Sequence, residues 1–308
     1  MKYINKKFLS ITVREVVLKG RVAIITGASE GMGKATVFYL SNLGVNTVLA
    51  ARRLDLIKEY EKTLKNKFGT DPLSIRVDVT SDYDVEHLVD VVAKKYGRID
   101  FAVSFAGNPV GYATRDRRKP IYEQDIKQLK EIAEVDHFGS VRVLKYVLPY
   151  MIKQRFGRII LISSTASVYG YSEDVDYVPY KRANEGLVIS SALRSIREKW
   201  GVEFYVIAPG DVFNPSTWES YDNREKMEVL KYGIIESETV ANIVSLLLSG
   251  KLKKKYVMKV DLDKGKVLDK GSYYRIKNGD IIVIDAKTVP KLLKSVGGKY
   301  KTFVPDGF

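Results

Sequence analysis

Short runs of apolar, β-branched residues alternate with longer segments of helical period along most of this 308-residue chain. That alternation restricts the fold more than any other feature. RVAIIT (21–26), NTVLAA (46–51), LSIRVDV (73–79), RIDFAVS (98–104), RIILISS (158–164) and VEFYVIA (202–208) read as strands. Between them the pattern predicts helices over 31–43, 54–68, 82–96, near 122–154 and about 176–199. The strand runs are apolar on both faces, so helices must cover the sheet on both sides. Repetition of this kind builds a doubly wound, parallel α/β sheet. No repeat, low-complexity tract or linker divides it, and one domain is expected.

Composition removes several function classes. Zero cysteines exclude disulfides, thiol catalysis and cysteine-based zinc sites. Two histidines, His87 and His137, argue against a metal centre, and no metal ligand is assigned. No stretch approaches the ~18 apolar residues of a membrane helix, and MKYINKKFLS lacks the apolar run of a secretory leader. The chain reads as soluble and cytoplasmic. Its net charge is +14, and residues 251–308 hold 15 Lys and Arg against 6 Asp and Glu. Tyr256, Tyr273, Tyr274 and Tyr300 lie within that region, a mixture that nucleic-acid binding would use. A solvated, lysine-rich surface is the simpler reading, and no nucleic-acid partner is expected. Lysine and glutamate are plentiful, a balance reported for heat-adapted proteins.

Thr26-Gly27-Ala28-Ser29-Glu30-Gly31-Met32-Gly33 closes the first strand and opens the first helix. Glycines at such a junction allow a tight turn and close backbone approach. The helix amino terminus then offers unpaired N–H groups to a pyrophosphate. In this strand–turn–helix setting the cluster predicts nucleotide binding.

Over residues 18–250 the chain resembles the short-chain dehydrogenases/reductases, whose TGxxxGxG motif has this spacing. Asp78, Val79 and Thr80 match the family's acidic residue and its neighbours after the third strand, which touch the adenine. Gly97, Ile99 and Asp100 match the approach to the fourth strand. Pro209-Gly210 matches the turn that borders the nicotinamide, with Val212 just beyond. Gly279 to Asp285 resembles the family's final strand. The resemblance implies a Rossmann-type domain over 18–286, preceded by an extension at 1–17 and followed by a basic tail at 287–308. Residues 251–277 then form an inserted β-hairpin region, for which Asn278-Gly279 supplies a two-residue turn signal between SYYRIK and IIVIDA.

Tyr177-Val178-Pro179-Tyr180-Lys181 matches the family's YxxxK pair, and Ser164 stands thirteen residues upstream, the family's serine-to-tyrosine spacing. Tyr3…Lys7 and Tyr273…Lys277 repeat the tyrosine–lysine spacing and read as surface coincidences. Helical positions i and i+4 share a face, so Tyr177 and Lys181 address one cleft. A free tyrosine, with pKa ~10, is about 0.1% ionised at neutral pH, and lowering that pKa by three units needs ~4 kcal/mol. An ammonium about 4 Å away at an effective dielectric near 20 supplies roughly that much. Lys181 therefore makes Tyr177 a usable acid/base and, by the resemblance, holds the nicotinamide ribose. Ser164 hydrogen-bonds the substrate oxygen.

Two positions depart from the family. Its NNAG motif appears as Ser104-Phe105-Ala106-Gly107. Ala106 and Gly107 keep the close approach to the cofactor, while the asparagine contacts that brace the sheet are lost. The family's catalytic asparagine aligns with Asp136. An aspartate accepts a hydrogen bond from a lysine-linked water, and its charge opposes the tyrosine's ionisation. Neighbouring His137 lies about 100° around the helix and reads as a core or interface histidine.

The resemblance thus implies an oxidoreductase that interconverts a secondary alcohol and a carbonyl compound, acting on a small molecule as a homodimer or homotetramer. Ala51 stands where NAD-preferring relatives carry an acidic residue, and Arg52 and Arg53 follow. An arginine there meets a 2′-phosphate bidentately, so NADP(H) is the expected cofactor, with NAD(H) possible and Glu30 opposing. Asn108, Pro109, Val168, Tyr169, Phe213 and Trp218 are candidate pocket residues, and Arg115–Lys119 reads as a solvated loop. A cofactor-binding regulator of the same fold, with little or no turnover, is the alternative reading.

Overall fold

A computed structural model describes residues 15–107, 119–170, 174–261 and 266–298. Asn108, Pro109, Tyr3…Lys7, the loop through Arg118 and the last ten residues lie outside the described residues. Strands β1 (Val22–Thr26), β2 (Asn46–Ala51), β3 (Leu73–Arg76), β4 (Phe101–Ser104), β5 (Gly157–Ile162) and β6 (Val202–Pro209) alternate with helices. Those helices are α1 (Gly31–Asn42), α2 (Leu54–Phe68), α3 (Asp82–Tyr96), α4 (Ile126–Ala133), α5 (Gly139–Lys153), α6 (Thr165–Tyr169) and α7 (Val178–Glu198). Beyond β6 come α8 (Pro215–Ser220), α9 (Asn223–Tyr232), α10 (Ser237–Leu248), β7 (Lys254–Asp261), β8 (Lys266–Arg275), β9 (Ile281–Ile284) and α11 (Val289–Lys294). The main sheet is parallel, in the order β3-β2-β1-β4-β5-β6-β9. It is a doubly wound, Rossmann-type sheet whose order reverses between β1 and β4, the place where such sheets bind ligands.

Alternate residues of β1 fall into two separate cores, as the pleat requires. Ala23 and Ile25 pack with Val37, Leu40, Ile57, Val240 and Leu292, under α1, α2, α10 and α11. Val22 and Ile24 pack with Leu88, Val143, Val147 and Val188, under α3, α5 and α7. Among the described residues no helix is long and apolar enough to cross a membrane.

The structure corrects two sequence expectations. The segment near 122–154 is not one helix: Glu134–Phe138 adopts a π-turn between α4 and α5. The extra backbone residue of a π-turn reaims the side chains around it, and Asp136 stands at its middle. Nor does Asn278-Gly279 close a hairpin. β8 pairs antiparallel with β7, whereas β9 pairs parallel with β6. The Asn278 side chain mimics a strand instead: Oδ1 accepts from Phe204 N–H at 2.6 Å and Nδ2 donates to Val202 O at 3.3 Å. That docking aims β9 along β6. Within the expected basic tail, α11 buries Val289, Leu292 and Leu293.

Candidate active site

The turn after β1 passes close beneath the end of β4. Gly27 takes φ +68°, and a Cβ there would stand 2.8 Å from Ala106 N and Phe105 C. Only glycine satisfies both constraints. Ser29, Glu30, Gly31, Met32 and Gly33 carry the turn into α1, which begins without a side-chain cap. Its first N–H groups therefore remain as donors. A Cβ on Gly31 would lie 3.4 Å from Asn214 Nδ2, so the segment after Gly210 folds over the same turn. Uncapped donors in a glycine-walled cradle suit a dinucleotide pyrophosphate.

Arg53 does not stand free beside this turn. Its guanidinium donates to Ser29 Oγ at 2.7 Å and pairs with Glu30 Oε2 at 3.1 Å. Arg52 is exposed. Asp78, two residues past the end of β3, is held below the usual carboxylate range. Partial burial acts the other way, but the Thr80 N–H and hydroxyl, Arg52 and Arg76 outweigh it. Val79 is buried against Gly139 at the start of α5.

The bracing asparagines are replaced rather than simply lost. Ser104 Oγ lies 3.0 Å from Ser140 Oγ and 3.4 Å from Thr26 Oγ1, and Ala106 N–H donates to Thr26 Oγ1 at 3.4 Å. A chain of hydroxyls thus joins β1, β4 and α5.

Lys181 and Asp136 are in direct contact, Nζ to Oδ1, with side chains 6% and 0% exposed. The lysine thus reaches the carboxylate directly rather than through a linking water. Burial alone would lower the Lys181 pKa, but Asp136 and then Tyr177 raise it above the ordinary lysine value. The ammonium lies 5.2 Å from the Tyr177 ring centroid. Gly107 roofs the pair: a Cβ there would meet Asp136 Oδ1 at 2.7 Å and Lys181 Nζ at 3.2 Å. Asn184, fully buried one turn along α7, donates to Asp136 O at 2.8 Å and meets His137 Nδ1 at 2.9 Å. His137 thus supports the π-turn rather than facing the cleft.

Ser164 lies beyond the end of β5, as the amino-terminal cap of α6, where its Oγ accepts from Ala166 N–H at 3.2 Å. Pro209 ends β6, and Gly210 packs so closely on Asp285 that a Cβ would lie 2.9 Å from Asp285 Cβ. Val212 bridges to Ile235. Phe213 and Trp218 pack with ring centroids 6.0 Å apart, in a small hollow that Tyr221, Val229 and Ile234 complete. Val168 and Tyr169 sit on α6, and burial together with Asp285 pushes the Tyr169 phenol up to about 12. The sequence reading missed Asn184, Asn214 and Ser140. Asn184 follows Lys181 by one helical turn, and that spacing alone would have placed it on the cleft side.

The family model for short chain dehydrogenases matches residues 21–225. The chain belongs to the short-chain dehydrogenase/reductase family. As a member it is an oxidoreductase built on the family's NAD(P)-binding fold. A mouse relative, "Dehydrogenase/reductase SDR family member 7", is 31% identical over 202 residues, covering 63% of this chain and 56% of its own length. The chain thus spans little more than half of that relative. The 3-oxoacyl-[acyl-carrier-protein] reductase of Thermotoga maritima is 30% identical over 203 residues, or 65% of this chain and 77% of that protein. Among solved structures, an alcohol dehydrogenase from Thermococcus sibiricus complexed with 5-hydroxy-NADP superposes with a TM-score of 0.62 at 26% identity. It covers 74% of this chain and 90% of that one.

Proposed function

We propose that this short-chain dehydrogenase/reductase interconverts a secondary alcohol and a carbonyl compound, with Ser164, Tyr177, Lys181 and Asp136 as its site and NADP(H) as its preferred cofactor. The buried Lys181 ammonium beside Tyr177 is the observation that carries this reading. The cofactor, when bound, supplies or accepts the hydride. Gly27, Ser29, Gly31, Met32 and Gly33 would hold its pyrophosphate, Asp78 and Val79 its adenine, and Ala106, Gly107, Pro209, Gly210 and Val212 its nicotinamide side. In the reducing direction Tyr177 gives its hydroxyl proton to the carbonyl oxygen, and in the oxidising direction it takes the alcohol proton back. Ser164 donates a hydrogen bond to the same oxygen, where negative charge develops. Lys181 stabilises the tyrosinate left behind, and the Asp136 carboxylate offsets part of that help.

Preference for NADP(H) is supported by Ala51 at the end of β2, by exposed Arg52, and by the neutralisation of Glu30 through Arg53. Use of NAD(H) remains compatible with the same cradle. The exposed Phe138, Ile189 and Leu193 on the α5 and α7 side support a homodimer or homotetramer, which light scattering would read as a multiple of 34.8 kDa. Absence of cysteine agrees with a cytoplasmic enzyme, and a small-molecule carbonyl or alcohol is its partner.

The test is a panel of aliphatic, cyclic and α-dicarbonyl compounds, with cofactor absorbance as the readout, for wild type and Tyr177→Phe. The variant loses at least ~100-fold in turnover while cofactor affinity holds. Near-normal turnover removes Tyr177 from its role. The Lys181–Asp136 pair also favours a second reading, a cofactor-binding regulator. Tight cofactor binding with no turnover across the panel would select it.

A further inference from the structure

Glu185 is a buried carboxylate that the chemistry above does not use. It lies on α7 one turn beyond Lys181, and only 2% of its surface is exposed. Oε1 is 2.7 Å from Ser163 Oγ and 2.6 Å from Ser167 Oγ, and Oε2 is 2.5 Å from Arg182 Nη1. The two serines bracket Ser164. Ser163 N–H donates to Ile207 O at 2.8 Å, and its hydroxyl lies 3.1 Å from Lys181 O. Ser167 Oγ lies 2.7 Å from Ser164 O. One carboxylate therefore ties together the end of β5, helix α6 and helix α7.

This tie matters because of what it holds. Ser164 caps α6, a helix of only five residues. So short a helix has little stability of its own and takes its orientation from outside contacts. Tyr177 stands at the amino-terminal cap position of α7 and Lys181 in its first turn, so the Ser164-to-Tyr177 separation is set across the seam that Glu185 closes. Were filling space the only need, an apolar side chain would do so without desolvating a charge. An ionised carboxylate is the stronger acceptor, so it draws the single hydroxyl proton of each serine towards Oε1, with Lys181 O and Ser164 O as the weaker, shared acceptors.

We propose that Glu185 is a positioning residue for Ser164, fixing the serine hydroxyl opposite Tyr177 through Ser163 and Ser167. This rests on the Ser–Tyr–Lys reading of the site. Displacement of a reacting or polarising group by about 1 Å can cost ~100-fold in rate, so loss of the tie is read in turnover rather than in cofactor affinity.

Glu185→Ala, Glu185→Gln and Ser167→Ala are compared with wild type. The probe is NADPH with the panel carbonyl that wild type reduces fastest. Glu185→Ala lowers kcat by about 10- to 100-fold, with the NADPH Kd unchanged within about twofold. Glu185→Gln, which keeps an acceptor oxygen, recovers kcat to within about threefold of wild type. Ser167→Ala moves kcat in the same direction by a smaller factor. If Glu185→Ala lowers thermal stability alone, with kcat per folded site intact, the proposal is overturned. If that variant does not fold, Ser167→Ala decides, and an unchanged kcat overturns it. A wild type that binds NADPH but reduces nothing in the panel ends the Ser–Tyr–Lys reading instead. Crystal structures of wild type and Ser167→Ala then judge the tie by itself. A Ser164 hydroxyl shifted by about 1 Å relative to Tyr177 supports it, and an unmoved one overturns it.

Discussion

Lys181 and Asp136 form an ion pair closed off from solvent, with Gly107 above it and Tyr177 beside it. Relatives with asparagine at this position place no formal charge there. Here the negative charge next to the ammonium raises the Lys181 pKa and weakens the field that favours tyrosinate. On the proposed mechanism, stability and catalysis pull in opposite directions at one residue.

Asp136→Asn separates the two effects. Freed of its counter-charge, Lys181 favours tyrosinate more strongly, so turnover is kept or increased and the acidic limb of the pH–rate profile moves to lower pH. Loss of turnover would instead give the carboxylate a role of its own. Stability moves the other way. A lysine whose folded pKa is raised contributes fully below its unfolded pKa of about 10.4 and loses that contribution as pH rises through the folded value. The variant is therefore less stable than wild type at neutral pH, and the gap narrows above about pH 10. Asparagine still accepts a hydrogen bond, so the loss falls below the roughly 3–5 kcal/mol of an unpaired buried charge. Thermal melts from neutral to alkaline pH read it directly.

Gly107 is tested by a single methyl group. In Gly107→Ala the Cβ would stand 2.7 Å from Asp136 Oδ1, so the pair must shift. Turnover falls by about tenfold or more, in keeping with a sub-ångström to 1 Å misplacement. Combining it with Asp136→Ala, which removes the clashing oxygen, recovers part of the loss. Full activity in the single variant would show that the pair moves at no cost.

Much of this site was legible because its signals are local. The glycine turn lies within one strand–helix junction, Tyr177 and Lys181 within the cap and first turn of one helix, and Ser164 only thirteen residues upstream of Tyr177. A parallel sheet covered by helices on both faces followed from the alternation, while the order of its strands rests on pairings between distant segments. What was not legible depends on distant partners. Nothing near Asn278 in the chain shows that its amide docks on Phe204 and Val202, so a turn dipeptide looked like a hairpin. The π-turn at Glu134–Phe138 leaves the helical period nearly intact and so escapes a pattern count. Ser140 and Thr26 are ordinary residues until β1, β4 and α5 bring their hydroxyls beside Ser104.

The sheet's other end carries its own buried charge. Asp100 is fully buried at the entry to β4, paired with Arg21 at 2.8 Å and Arg98 at 2.6 Å, and it accepts Val22 N–H at 3.0 Å. Asp100→Ala leaves that N–H without its partner and loses about 3 kcal/mol, the lower end for a broken buried pair because both arginines can rehydrate. Denaturant unfolding measures the loss. Cofactor affinity of the folded protein stays constant, since the site lies at the opposite ends of the strands.

Cofactor choice turns on how three charges divide at the end of β2. Arg53 is committed to Ser29 and Glu30, which leaves exposed Arg52 as the guanidinium available to an adenosine 2′-phosphate. A charge-assisted contact of about 1.5–3 kcal/mol corresponds to a ten- to hundredfold effect. Arg52→Ala therefore lowers the ratio of kcat/KM with NADPH over NADH by roughly that factor. Arg53→Ala acts indirectly: it releases the Glu30 carboxylate, which then repels the phosphate, and the ratio falls by a smaller amount. Glu30→Gln, which removes that repulsion, raises the ratio and restores it in the Arg53→Ala background. A wild type that favours NADH, or a ratio unmoved by Arg52→Ala, would leave the phosphate with no partner here and reverse the assignment to NAD(H).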